Sequence, residues 1–202
     1  MERGGVLVWI NGPHGSGKTH VAADLVRRVP GACLADPEHV GFGLRRMYPP
    51  RQRPDYRDLG AWTAAVSMTL LDVLDRTRGP VIAPQTVTDP KTLDELVRPV
   101  RRRHRVVHVT LMVSLDELRR RLRSRGDLIA SYAQQHAEAT LVRLAEPDFT
   151  VHIDTDGLLV RDVADGIAAL AGLEIRADRS TSAVRALRAA SLRCRSIRPP
   201  WA

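Results

Sequence analysis

Eight residues near the start of the chain, Gly12-Pro13-His14-Gly15-Ser16-Gly17-Lys18-Thr19, have the types and spacing of a phosphate-binding loop. The glycines let backbone N–H groups crowd toward phosphate oxygens with no Cβ in the way. The helix that should begin here adds its free N–H groups and the positive end of its dipole. Lys18 can then reach the β- and γ-phosphates of a nucleoside triphosphate, and the Thr19 hydroxyl can hold Mg²⁺. Lysine occurs at only one other position, Lys91, so Lys18 stands out in a chain whose cations are otherwise arginines. His14 inside the loop can donate to an anion or simply face solvent.

Phosphoryl chemistry also needs a group that accepts a proton and cations that meet the charge. Asp36, with Glu38 close behind, follows a short strand-like run, where a parallel sheet aims groups toward the phosphate loop. Asp36 can take the proton of a substrate hydroxyl or orient Mg²⁺ through water; it can equally cap a helix starting at Pro37. The cations are in Leu118-Arg119-Arg120-Arg121-Leu122-Arg123-Ser124-Arg125. At helical spacing Arg121 and Arg125 share one face and Leu118 and Leu122 another. Guanidinium groups there would stabilise a transferring phosphoryl group, and the stretch 126–131 that follows could act as a lid. The plain alternative is a solvated basic face.

These residues must be positioned by strands and helices, and both patterns recur. Apolar runs at 6–10, 31–35, 80–84, 106–113 and 149–153 read as strands. Helical patterns fall at 17–29, 37–47, 61–76, 91–103, 115–125, 132–144 and 160–170. Ser114 and Glu117 form a capping box, and Thr88-Asp89-Pro90 opens another helix. Alternating strands and helices predict a three-layer α/β fold with a five-stranded parallel sheet and helices on both faces. The third and fourth runs end in Pro84-Gln85-Thr86 and Ser114, without the carboxylate that motor, transporter and helicase domains place there. Trp62 heads an apolar helix, either in the core or lining an acceptor pocket. The Pro- and Arg-rich stretch 48–56 reads as an irregular flap on the substrate side.

Length and charge narrow the rest. The 202 residues are 44% hydrophobic and 27% charged, enough for one domain at 1–173 and a tail at 174–202. Aromatic content of 4% offers no stacking platforms for single-stranded nucleic acid. From Glu174 onward seven arginines face two acids, a net of +5, so the first 173 residues carry only +3 of the total +8. The basicity thus belongs largely to the tail. Drawn as a helix, the tail sets Val184, Leu187, Ala190, Cys194 and Ile197 against Arg185, Arg188, Arg193 and Arg195. It could touch an anionic membrane surface weakly, although a solvated or disordered terminus is the expectation. Two cysteines without a framework fit a reducing cytoplasm, the five apolar residues before Asn11 are too few for a signal segment, and no histidines have metal-ligand spacing.

The core resembles the small P-loop kinases, such as shikimate, gluconate and nucleoside-monophosphate kinases. It is more closely similar to the bacterial tunicamycin-resistance proteins, ATP-binding proteins with a nucleotide-kinase-like fold. The matching residues are Trp9-Ile10-Asn11-Gly12 through Thr19, Asp36-Pro37-Glu38, Gly41-Phe42, Leu44-Arg45, Met47 and Pro49. Trp62, Pro84, Thr86, Thr110-Leu111-Met112, Ser114, Arg121-Leu122-Arg123, Arg125, His152-Ile153 and Thr155-Asp156 extend the match. The resemblance implies the strand order 2-3-1-4-5, ATP and Mg²⁺ on Gly12–Thr19, Asp36 as base, Arg45 at the acceptor side, and Arg121 and Arg125 in the lid. The chain departs from that pattern at 126–130, at Tyr132 where an indole is usual, and beyond Leu173.

Two functions are then expected in competition: an ATP- and Mg²⁺-dependent phosphotransferase acting on a small hydroxylated acceptor such as a nucleoside antibiotic, or a module that closes over that ligand with ATP and transfers nothing. Nucleic-acid binding through the net charge is the weaker third.

Overall fold

Strand β1 (Val6–Asn11) lies at the centre of the sheet, and its residues from Leu7 onward are buried. A continuous apolar run suits that place, because a central parallel strand meets helices on both faces. The computed structural model describes residues 5–124 and 132–196. It orders five parallel strands as β2-β3-β1-β4-β5, in agreement with the sequence expectation. The others are β2 (Cys33–Leu34), β3 (Val81–Pro84), β4 (Arg105–Met112) and β5 (His152–Asp154). Val8 sits opposite Ile82 on one side and Val107 on the other.

The period-two alternation of β1 divides the interior. Leu7 and Trp9 point into a core with α3 (Gly60–Arg76) and α4 (Pro90–Arg101). Val8 and Ile10 point into a second core with α1 (Lys18–Arg28) and α8 (Val160–Leu170). A third, smaller cluster joins α5 (Leu115–Ser124) to α7 (Ala137–Leu144) through Leu118, Leu122 and Ala137, with α6 (Tyr132–Gln135) between them in the chain. The caps behave as their residue types require. Asp36 starts α2 (Pro37–Arg46), Asp89 accepts from Thr92 N at 2.8 Å, and Ser114 Oγ accepts from Glu117 N at 3.4 Å.

Two expectations are corrected. The run 149–153 is not one strand: Pro147–Phe149 forms a 3₁₀ turn and β5 starts at His152. Phe149 is fully buried in the first core, and its carbonyl accepts from Thr110 Oγ1 at 2.7 Å, so it is held as a plug rather than a ladder residue. The tail is not without structure: α9 (Ser182–Ser196) rests on α1. Its connection is clipped to the domain by Arg176 N donating to Arg28 O at 3.0 Å and Arg28 Nε donating to Arg176 O at 2.7 Å. The face turned inward carries Arg185, Ala189 and Leu192, while Val184 and Leu187 are exposed. Among the described residues no helix is long and apolar enough to cross a membrane.

Candidate functional site

The end of β1 is stapled before the loop begins. Asn11 is fully buried; its Nδ2 donates to Val87 O at 2.8 Å and its Oδ1 accepts from Val87 N at 3.0 Å and Gly12 N at 2.9 Å. This one side chain ties the start of Gly12–Thr19 to the segment after β3. Thr86 Oγ1 adds a 2.8 Å bond to Gly12 O.

Within the loop, Gly12, Gly15 and Gly17 have φ of 142°, 91° and 101°, a region that side chains rarely enter. At Gly15 a Cβ would stand 2.9 Å from Leu118 Cδ1, because α5 packs directly on the loop. Gly17 is the N-cap of α1, and among the described residues no side-chain hydrogen bond caps that end, which is where a helix start meets an anion. Lys18 Nζ donates to Gly12 O at 2.8 Å and Pro13 O at 2.9 Å, spanning the loop it serves. Ser16 Oγ is buried without a hydrogen-bond partner. A glycine cradle, an uncapped helix start and an orphaned hydroxyl together fit a phosphate chain, and Thr19, exposed on the first turn, fits the accompanying Mg²⁺.

Two cavities flank the loop. The first, of about 390 Å³, is lined by Gly15, Ser16 and Gly17 on one wall, by Arg120 and Arg121 of α5 on another, and by Leu158 and Val160 after β5. Arg121 holds its walls together. Its Nη1 donates to Ser16 O at 3.2 Å and Thr155 Oγ1 at 3.1 Å, its Nη2 to Thr155 O at 3.0 Å, and its Nε to Glu117 Oε1 at 2.7 Å. Four of the five guanidinium N–H groups are engaged in this way. Arg121 is therefore drawn to the loop, as its spacing suggested, but as a brace between α5, the loop and the segment after β5. Arg120 and then Arg121 donate to Glu117 and hold its carboxyl at a pKa of about 2. Arg125 and the proposed lid at 126–131 lie outside the described residues.

The second cavity, of about 410 Å³, opens on the other side, where His14 projects from the loop. Glu38, Phe42 and Arg45 come from α2, and Arg53, Asp55, Tyr56 and Arg57 from the irregular stretch before α3. Arg57 Nε donates to Asp55 Oδ1 at 2.9 Å, and Arg57 Nη1 lies 3.5 Å from His14 Nε2. The hydrogen bonds from Arg57 hold the Asp55 carboxyl below its ordinary range. Burial, with the Glu38 charge beside it, pushes the Tyr56 hydroxyl up to about 12, so this phenol stays neutral.

Asp36 stands just beyond β2 with Oδ1 accepting from Glu38 N at 2.9 Å, so it caps α2. The cavity itself is lined by Glu38, not by Asp36. Trp62 lies beneath rather than in the cavity: it is 1% exposed, packs on Tyr56 with ring centroids 5.4 Å apart, and donates from Nε1 to Pro37 O at 3.1 Å. Arg45 does reach the lining. The residues that sequence reasoning passed over as site parts are Asn11 as a staple, Thr155 as the anchor of Arg121, and Arg57 beside His14. Asn11 and Thr155 appeared only within family motifs, and Arg57 follows directly on a stretch read as a flap without assigned contacts.

Residues 7–147 match the AAA domain family. The tunicamycin resistance protein of Deinococcus radiodurans is 33% identical, with a TM-score of 0.75, over 86% of this chain and 99% of that one. The chain belongs to the tunicamycin-resistance-protein family of small P-loop kinases. A gluconokinase from Sinorhizobium meliloti 1021 has a TM-score of 0.60 at 23% identity, covering 85% of this chain and 96% of that one. A shikimate kinase from Bacteroides thetaiotaomicron has a TM-score of 0.57 at 18% identity, covering 82% and 97%. These two likenesses show the fold. No curated protein matches the chain.

Proposed function

We propose that this protein is an ATP-dependent phosphotransferase acting on the hydroxyl of a small acceptor, and that the acceptor class is a nucleoside antibiotic of the tunicamycin type. The observation that carries the first part is the placement of one loop between two cavities: Gly15–Gly17 face one and His14 faces the other. A donor nucleotide on one side and an acceptor on the other would then meet across the phosphate loop. The acceptor class rests on the 33% identical Deinococcus protein, whose name records tunicamycin resistance.

In this reading the nucleoside end of ATP lies against Arg120 and Val160, and its phosphates lie on the loop N–H groups and Lys18. Thr19 would hold Mg²⁺, which supplies charge neutralisation between the terminal phosphates. Asp36 accepts the acceptor's hydroxyl proton as that oxygen forms its bond to the γ-phosphorus and the bond to the bridging oxygen breaks, leaving ADP. The Glu38 N–H fixes the carboxylate of Asp36 for this role. Arg45 and Arg57 orient the acceptor, with Trp62 supporting α2 from beneath. Arg121 keeps α5 against the loop.

The test compares Asp36→Asn with Glu38→Gln, the two carboxylates at this corner. Asp36→Asn should lower kcat by about 10²–10⁴-fold, the usual worth of a general base, while ATP affinity stays near that of the unaltered chain. A full rate in Asp36→Asn with a lost rate in Glu38→Gln would move the base to Glu38.

A further inference from the structure

Helix α9 exposes the face that its apolar residues mark. Arg185, Ala189 and Leu192, at helical spacing, are its half-buried positions against α1. On the opposite side Ala183, Leu187 and Ala190 are exposed with Val184 at their edge, and Leu187 is 71% open to solvent. A helix placed this way half-buries an arginine beside Ala189 and Leu192 while presenting Leu187 and Val184. Among the described residues, burial does not account for that arrangement.

A groove lies on the inward side of the helix. Leu159 and Val160 line the same groove of about 490 Å³ as Ala186, Ala189 and Leu192, and Leu158, Leu159 and Val160 are themselves exposed. The surrounding charge has one dominant sign. The helix contains four arginines and no acidic residue. Arg27 and Arg161 add to the rim of the groove, and exposed Arg176 and Arg179 lie in the connection before the helix. Asp178 is taken up by Arg27 at 3.3 Å and Arg185 at 4.0 Å, which fixes the connection in place.

We propose that the outer face of α9 is a docking surface for an anionic lipid membrane. Fifteen residues at 1.5 Å each make a rod about 22 Å long, a usual size for a helix lying in the headgroup region. Leu187 and Val184 enter the boundary between headgroups and acyl chains, and the arginines along the rim meet lipid phosphates. Charge selects this occupant over a second copy of the chain, because pairing two such helices would bring arginines against arginines. The inference is independent of the phosphotransferase reading, since α9 supplies no residue to either cavity beside the phosphate loop.

The test is co-sedimentation of the full chain with vesicles of phosphatidylcholine alone and of phosphatidylcholine mixed with phosphatidylglycerol. Binding should appear only with phosphatidylglycerol and weaken with added salt. Leu187→Glu should reduce the bound fraction about tenfold or more, and Arg188→Glu should reduce it and flatten the salt dependence. Both positions are exposed, and an unchanged circular dichroism spectrum shows that the variants fold. No binding to the mixed vesicles, or binding that Leu187→Glu leaves unchanged, overturns the proposal. So does a dimer in sedimentation velocity that Leu187→Glu dissolves while vesicles bind nothing; that outcome gives the face to a second copy.

Discussion

Arg121 Nη1 lies 3.2 Å from the carbonyl oxygen of Ser16, joining residues 105 positions apart. Through this bond and those to Thr155, the arginine of α5 sets the spacing between the phosphate loop and the segment after β5. Replacing it with lysine keeps the charge but cannot reproduce three directions of donation. Arg121→Lys should therefore weaken ATP binding about tenfold, the effect of losing one to two charge-assisted hydrogen bonds. Titration calorimetry with ATP checks this; an unchanged Kd would show that the brace is not needed.

Gly15 is a loop position poorly able to change. Its φ of 91° disfavours any side chain, and a Cβ would come within 2.9 Å of Leu118 Cδ1 and 3.0 Å of Leu122 Cδ2. Gly15→Ala should cost about 1–3 kcal/mol from the backbone alone, with further loss where α5 is pushed away. The expected outcome is a lowered Tm together with loss of ATP binding. Retention of both would mean that the loop and α5 can separate freely.

Trp62 separates packing from acceptor contact. Trp62→Phe keeps the ring but leaves Pro37 O without its donor, so stability should fall by about 1–3 kcal/mol. Denaturant unfolding measures that loss, and the KM for ATP should not move. A raised acceptor KM with unchanged stability would instead put the indole in contact with the acceptor.

The parts of this site that a linear reading reaches are those built from short spacing. The loop, the caps at Asp36 and Ser114, and the existence of the strands follow from neighbours within a few residues. Asn11 grips Val87 across 76 positions, and Arg121 meets Ser16 across 105; no periodicity signals either bond. The stretch before α3 was opaque for another reason, since its conformation depends on Arg57 closing on Asp55 and on Tyr56 packing against Gly41 and Trp62. In α9 the apolar positions marked a side that the structure leaves exposed. Its inward contacts are made by an arginine, an alanine and one leucine, a pattern that hydrophobic spacing does not select.

Acid should loosen the brace on the first cavity. The Glu117 carboxyl is held at about 2 by Arg120 and Arg121, below its ordinary value. A depressed carboxylate contributes stability above its unfolded pKa and loses it as pH falls through that value toward the folded one. Stability should therefore decline from about pH 4.3 toward pH 2 in the unaltered chain, and less steeply in Glu117→Gln. The Glu117–Arg120 pair is open to solvent screening, so added salt should diminish the difference. Parallel pH profiles for the two proteins would contradict the pairing.

The central claim is that one loop presents a donor phosphate to an acceptor across its two cavities. Incubating the full chain with ATP, Mg²⁺ and tunicamycin, then recording the mass of the acceptor, tests it most directly. The account predicts an acceptor heavier by one phosphoryl group, formed only when ATP is present and lost in Asp36→Asn. Tunicamycin recovered at its original mass, from protein that binds both ATP and the antibiotic, would contradict it and leave a protein that holds its ligand without transfer.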